Sequence, residues 1–257
     1  MRPRAFAAIT VSMMATGACT PSAYAPPARL TPLDTPSAPA AGGTDVQGEV
    51  GRLGTVFGPA LVDGNFRARH ALNDHVVVEG EAGMAAVTNA GTVVTPEARS
   101  TVPVAHASTS RDAYTGRGGV ILQGVDGAVR GALTAGLGGG YSPVAGGWTS
   151  LDVGGAFGGT HRWFRPWLAG DLGLNEPLGA HPFTVAYGDS EQTTLELTPN
   201  AIVRGTFGIE LGPVDRAFIL GLSVTRVIAE SNGAFGADRS SGGEGFVGIA
   251  AGFRARL

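Results

Sequence analysis

A nucleophile needs a base within reach, and one short stretch of the chain offers both. His106, Ala107 and Ser108 set an imidazole two residues from a hydroxyl, and Asp112 is the nearest carboxylate that could orient the histidine. The triplet stands in a threonine-rich stretch between strand patterns, the setting of a polar loop, so no catalytic residue is assigned and no enzyme is expected. Gly136-Leu137-Gly138-Gly139-Gly140 has the composition of a phosphate cradle, but Tyr141-Ser142-Pro143 turns the chain where a helix would have to begin. His161 and His181 have no second ligand at a suggestive spacing, and the single cysteine, Cys19, excludes an internal disulfide and a thiolate cluster. Neither metal nor cofactor is expected. What remains is charge at alternate positions: Arg67, Arg69, Glu79, Glu81, Arg130, Asp152, Arg165, Asp171, Arg204, Glu210, Arg254 and Arg256.

Those charges are placed by β-strands. In Phe246 to Leu257, the residues Val247, Ile249, Ala251, Phe253, Ala255 and Leu257 share one face, while Gly248, Gly252, Arg254 and Arg256 share the other. A period of two is a strand. The same division recurs back to Val76, and turn residues punctuate it. Asn73-Asp74, Asp126-Gly127 and Gly212-Pro213-Val214-Asp215 mark tight connections, whereas 89–114, 175–193 and 231–245 are long. Val46 to Phe57 breaks phase between Val46 and Val50 on one side and Leu53 and Phe57 on the other, which predicts a bulge. About ten strands result, or eight if that first region does not cross.

The charges decide which face looks where. A chain of 257 residues with 42 glycines, 7% aromatics and 15% charged residues is not an average globular protein. A net charge of −3 and no lysine-rich run exclude attraction to nucleic acid. Past the amino terminus no apolar run reaches the about 18 residues of a helical span, so residence in a bilayer requires a closed barrel. In that case the apolar face meets lipid and the twelve charges line the interior. A barrel of about ten strands is narrow, so the lining reads as a network of ion pairs, with Trp148, Trp163 and Trp167 as interfacial anchors or packing. One alternative is a small-solute, porin-like channel lined by Arg67, Glu79, Glu81 and Arg204. Another is a soluble lipocalin-like binding barrel in which the apolar face is the core.

Both ends of the chain carry address-like patterns. Arg2 and Arg4 precede an apolar run to Ala15, then Thr16-Gly17-Ala18-Cys19, which reads as a cleaved signal over residues 1–18. The small residues before Cys19 resemble a lipoprotein box, which implies lipidation of Cys19; a rival cut follows Ala23-Tyr24-Ala25. Residues 19–43, rich in proline, alanine and threonine, read as a disordered tether, and residues 44–257 as the barrel. Gly252, Ala255 and Leu257, spaced GxxAxL, resemble the carboxy-terminal assembly signal of bacterial outer-membrane barrels, with leucine where that signal ends in an aromatic. His106-Ala107-Ser108 is similar, faintly, to the HxS pair of outer-membrane lipid A deacylases.

The chain thus resembles the broad class of small outer-membrane β-barrels. The resemblance implies an antiparallel up-and-down transmembrane barrel of the Gram-negative cell envelope, a monomer inserted by the barrel-assembly machinery into outer-membrane lipid. Its function would be a structural or interaction role exercised through extracellular loops toward an unidentified partner. An even strand count then implies both termini, and the lipid anchor, on the periplasmic side.

Overall fold

The computed structural model describes residues 22–54, 60–88, 92–94, 112–126, 128–187, 191–228 and 244–257. Its strands are β1 (Ser22–Tyr24), β2 (Thr44–Gly54), β3 (Ala60–Ala71), β4 (Val76–Thr88), β5 (Thr92–Val94), β6 (Asp112–Asp126) and β7 (Val129–Ser142), followed by β8 (Gly146–Gly159), β9 (Phe164–Leu178), β10 (Phe183–Tyr187), β11 (Glu191–Thr198), β12 (Asn200–Leu211), β13 (Arg216–Ile228) and β14 (Glu244–Arg256). Ten of them close an antiparallel barrel in the order β12-β13-β14-β2-β3-β4-β6-β7-β8-β9. Closure is made by β2 on β14, from Asp45↔Arg256 to Gly54↔Val247. The expected all-β antiparallel barrel of about ten strands is therefore the fold, and the first region does cross.

Local chemistry sets the turns at one end of the barrel. The Asn73 side-chain oxygen accepts from the backbone N–H groups of His75 (2.8 Å) and Val76 (2.9 Å), closing β3 onto β4. Asp126 pairs with Val129 across a two-residue connection. Gly212, at φ 115°, occupies a conformation that side chains rarely adopt, and an added Cβ would lie 2.7 Å from the Arg216 carbonyl. Near residues 160–163, His161 accepts from the backbone of Trp163 (3.3 Å) and Phe164 (3.4 Å), which makes it a turn residue. The opposite end carries the connections 55–59, 89–111 and 229–243, the three residues 143–145, and a four-stranded sheet ordered β1-β11-β10-β5. Stretches expected as plain loops, 89–114 and 175–193, contribute strands to that sheet.

Burial alternates as the sequence predicts, but with the faces inverted relative to a water-soluble barrel. Every second residue of β13, from Ala217 to Val227, is buried, and the residues between them are exposed except the half-buried Leu220. Phe66, Leu133, Leu172, Phe207, Leu222 and Ile249 are exposed on the outside, while Arg67, Arg69, Glu210 and Arg254 are sealed within. Over the described part of the first strand the expected bulge is absent, because β2 pairs residue for residue with β3 from Thr44↔His70 to Gly54↔Ala60; residues 55–57 of that stretch lie outside the described residues. The break of phase is nevertheless physical. Leu53 turns inward to an apolar cluster with Leu30, Ile202, Val227 and Phe246, and Arg52 consequently faces outward near the long-loop end.

The largest departure from expectation is the tether. Rather than lying disordered in water, residues 28–39 are buried inside the barrel, and Ala25 is buried at its long-loop end. The five prolines that argue against a helix also suit this path. Pro26, Pro27, Pro32, Pro36 and Pro39 bring no N–H that would need a partner inside, and their fixed φ lowers the entropy lost on ordering. Leu33, fully covered, packs on Trp167, Ile219 and Ala250. Inward glycines make the room, since a Cβ on Gly51 would overlap the Thr31 hydroxyl and one on Gly221 or Gly252 would press on Leu33.

This path also places the first described residues at the end of the barrel opposite the one expected for the chain's start. An even count of strands places Thr44 beside Arg256 at the short-turn end, but the preceding segment then runs the length of the lumen. Ser22–Tyr24 consequently pairs with Glu196–Thr198 at the long-loop end. Residues 1–21, with the signal and Cys19, lie outside the described residues. We expect Leu33→Ala to cost about 2–5 kcal/mol in urea unfolding, because it leaves a lumenal cavity, whereas the outward Leu222→Ala creates no cavity and costs much less.

Candidate functional site

Among the described residues, the lumen is where strands from all around the barrel bring chemistry together, in two layers of ion pairs and a set of bonds to the threading segment's main chain. Nearest the short turns, Glu210 receives the Arg165 Nε at 2.7 Å and the Arg254 Nη2 at 2.9 Å. Arg69 binds both oxygens of Asp45, at 2.8 and 2.9 Å, in the bidentate geometry that suits a guanidinium. Register puts each pair together: Glu210 is opposite Arg165, and Asp45 opposite Arg69. Arg256 pairs with Asp215 at 3.7 Å. Arg130 is half-buried and makes no ion pair among the described residues.

The middle layer gathers around the threading segment. Arg29 meets Asp34 at 2.5 Å, Asp152 at 3.3 Å and Glu81 at 3.8 Å. Arg67 lies 3.0 Å from Asp34 and 3.2 Å from Glu81. Arg117 reaches Asp152 at 2.7 Å and also pairs with Glu79. Gly136 leaves the space for that guanidinium, since a Cβ there would sit 2.2 Å from the Arg117 Cζ. Arg204 faces Asp171 at 3.8 Å. Asp63 accepts from Thr31 at 2.7 Å and Asn65 at 2.8 Å.

The third set of contacts is to the main chain of the segment itself. Arg256 donates to the Ala38 carbonyl (2.8 Å), Arg254 to Ser37 (3.1 Å) and Gln47 to Leu33 (3.2 Å). Arg204 donates to Arg29 (3.0 Å) and Asn200 to Ala25 (2.8 Å), while Glu49 accepts from the Leu33 N–H (3.3 Å) and Ser150 from that of Ala28 (3.2 Å). These bonds read an extended backbone rather than particular side chains.

Of the charges singled out from sequence, the structure brings eleven of the twelve into pairs and leaves Arg130 apart. Sequence reasoning missed Arg29, Asp34, Asp45, Glu49, Asp63 and Arg117. Arg29 and Asp34 were masked by a composition that reads as a spacer, and Asp45 and Glu49 by the break of phase in β2. Asp63 sits three residues before the alternation that begins at Phe66, and Arg117 one before that at Gly118; carrying the period of two from Arg67 to Asn65 and Asp63, and from Gly119 to Arg117, recovers both. Trp148 and Trp167 point inward and are covered, whereas Trp163 is exposed beside Arg162, whose guanidinium carbon is 5.5 Å from the ring centroid. Gly252 lines the lumen against Leu33, Ala255 is half-covered, and the exposed Leu257 donates its backbone N–H to Thr44 at 2.9 Å. His106 and Ser108 lie outside the described residues, and Asp112 opens β6.

No family model and no curated protein matches this chain. Among solved structures it is similar to Neisserial surface protein A at 10% identity, covering 84% of this chain and 96% of that one, with a TM-score of 0.37. It is also similar to the N-terminal β-barrel domain of Pseudomonas aeruginosa OprF (15% identity, 84% and 99% covered, TM-score 0.32) and to Ail, the attachment invasion locus protein of Yersinia pestis (9% identity, 84% and 97% covered, TM-score 0.29). The fold rests on the chain's own closed ladder of strands and not on these likenesses.

Removing Glu210 leaves two buried guanidinium groups sharing no carboxylate. Glu210→Ala is expected to destabilise the barrel by about 3–5 kcal/mol in urea unfolding, and Glu210→Gln by less, because the amide oxygen still accepts a hydrogen bond.

Proposed function

We propose that this chain is an outer-membrane β-barrel whose lumen is closed by its own amino-terminal segment, and whose long-loop end serves a structural or interaction role outside the cell. One observation carries the reading: among the described residues the interior is threaded by residues 28–39, which are buried, and crossed by ion pairs, an arrangement that favours a closed lumen over the open path a pore requires. Membrane residence is supported by the belt of exposed Val, Leu, Ile and Phe side chains and by a strand ladder without an edge. A soluble lipocalin-like barrel would carry these side chains inside. No helix among the described residues is long and apolar enough to cross a membrane. Lipidation of Cys19 and insertion by the assembly machinery, with Gly252, Ala255 and Leu257 as signal, belong to this reading on sequence grounds. So does the assignment of the long-loop end to the extracellular side, where the partner is expected.

Two measurements test it. In planar bilayers the purified full chain is expected to give no conductance steps above baseline; stable open-state steps from it would replace this reading by the channel. Leu222, exposed at the centre of β13, should face hydrocarbon. Leu222→Arg is then expected to lower stability in lipid vesicles by about 2–4 kcal/mol, as for a cation at the midplane. An unchanged stability would mean that this face meets water.

A further inference from the structure

The threading segment has a direction, and that direction has a consequence for what the protein presents. It enters at the short-turn end, where Thr44 accepts from Leu257 and Arg256 holds the Ala38 carbonyl. It passes Leu33 in mid-lumen on Trp167 and Ile219, and Arg29 beside Asp152. At the far end Ala25 accepts from Asn200 and donates its N–H to Thr198 at 3.2 Å. Its reach is sufficient: 14 residue steps of proline-rich extended chain cover about 43 Å. A strand of about 13 residues tilted by about 40° rises only about 33 Å along the barrel axis.

Beyond Ala25 the chain does not turn back. β1 joins β11 in parallel, Ser22↔Glu196 to Tyr24↔Thr198, and so becomes an edge strand of the small sheet built from β11, β10 and β5. That sheet belongs to the connections at the long-loop end. Seven side-chain bonds to the main chain of residues 25–38 hold the thread against sliding and fix Ser22–Tyr24 at the long-loop end.

We propose that residues Ser22 to Tyr24 remain in the mature protein and are displayed on the outer face of the membrane, carried there through their own barrel and pinned by β11. This rests on the reading of the long-loop end as extracellular. It makes the amino terminus part of the surface that meets the partner.

Three versions of the full chain test this, each with one short epitope and each checked for folding by heat-modifiable migration. The insertions lie between Thr20 and Pro21, between Ala41 and Gly42 at the short-turn end, and between His181 and Pro182 at the long-loop end. Antibody is applied to intact and to permeabilised Gram-negative cells. The His181 and Thr20 insertions are expected to bind antibody equally in both, and the Ala41 insertion only after permeabilisation. Binding to the His181 insertion on intact cells, with the Thr20 epitope reached only after permeabilisation, overturns the display while leaving the barrel's orientation standing. Loss of the Thr20 epitope from the folded protein, as a cut after Ala25 would produce, overturns it equally. If the His181 insertion is itself hidden on intact cells, the orientation fails and the display with it.

Discussion

Every polar group sealed inside a ten-strand barrel has to find its partner there, and that requirement organises this molecule. A buried guanidinium without a counter-charge costs several kcal/mol, more than most single contacts contribute. Arg67, Arg117, Arg204 and Arg254 are each nearly or wholly covered, and each is met by a carboxylate from another strand or from the threading segment. The strands' register, the small inward residues and the course of the segment all follow from meeting this need in a narrow space.

The segment and the barrel complete one another. Without residues 25–39, Asp152, Glu81 and Glu49 would lose Arg29 or the Leu33 N–H, and Trp167 and Ile219 would lose Leu33. Without the lining, five prolines and a handful of apolar groups could not hold the segment in one conformation. From Ala28 to Ala38 its main-chain bonds to the barrel go to side chains and not to a neighbouring strand, so it crosses the barrel without disturbing the ladder. A lumen filled in this way favours rigidity, because its packed side chains and paired charges leave the segment one conformation.

Some of this organisation was legible in the residues alone, and some was hidden by the same physics. Alternation in β13 and β14 is uninterrupted because one face is apolar and the other is not, and a period of two is a local property of the chain. In β2 that rule misled. Leu53 turns inward because Leu30, nearly two dozen residues earlier, lies in the lumen beside it. The tether misled further, because low hydrophobicity and frequent proline describe both a chain in water and a chain threaded through a polar tunnel. Composition does not distinguish the two surroundings.

The sequence by itself determined the class of fold, the near-ten strand count, the inversion of its faces and most of the charges that line the interior. Each of these is set by alternation and turn chemistry within about a dozen neighbouring residues. Only the tertiary structure decided which charges pair, that the lumen is filled by the chain's own first segment, and that Ser22 stands at the end opposite Leu257. Those outcomes depend on groups far apart in sequence meeting across a closed cylinder, where desolvation makes every unpaired charge costly and packing selects the one path that pairs them.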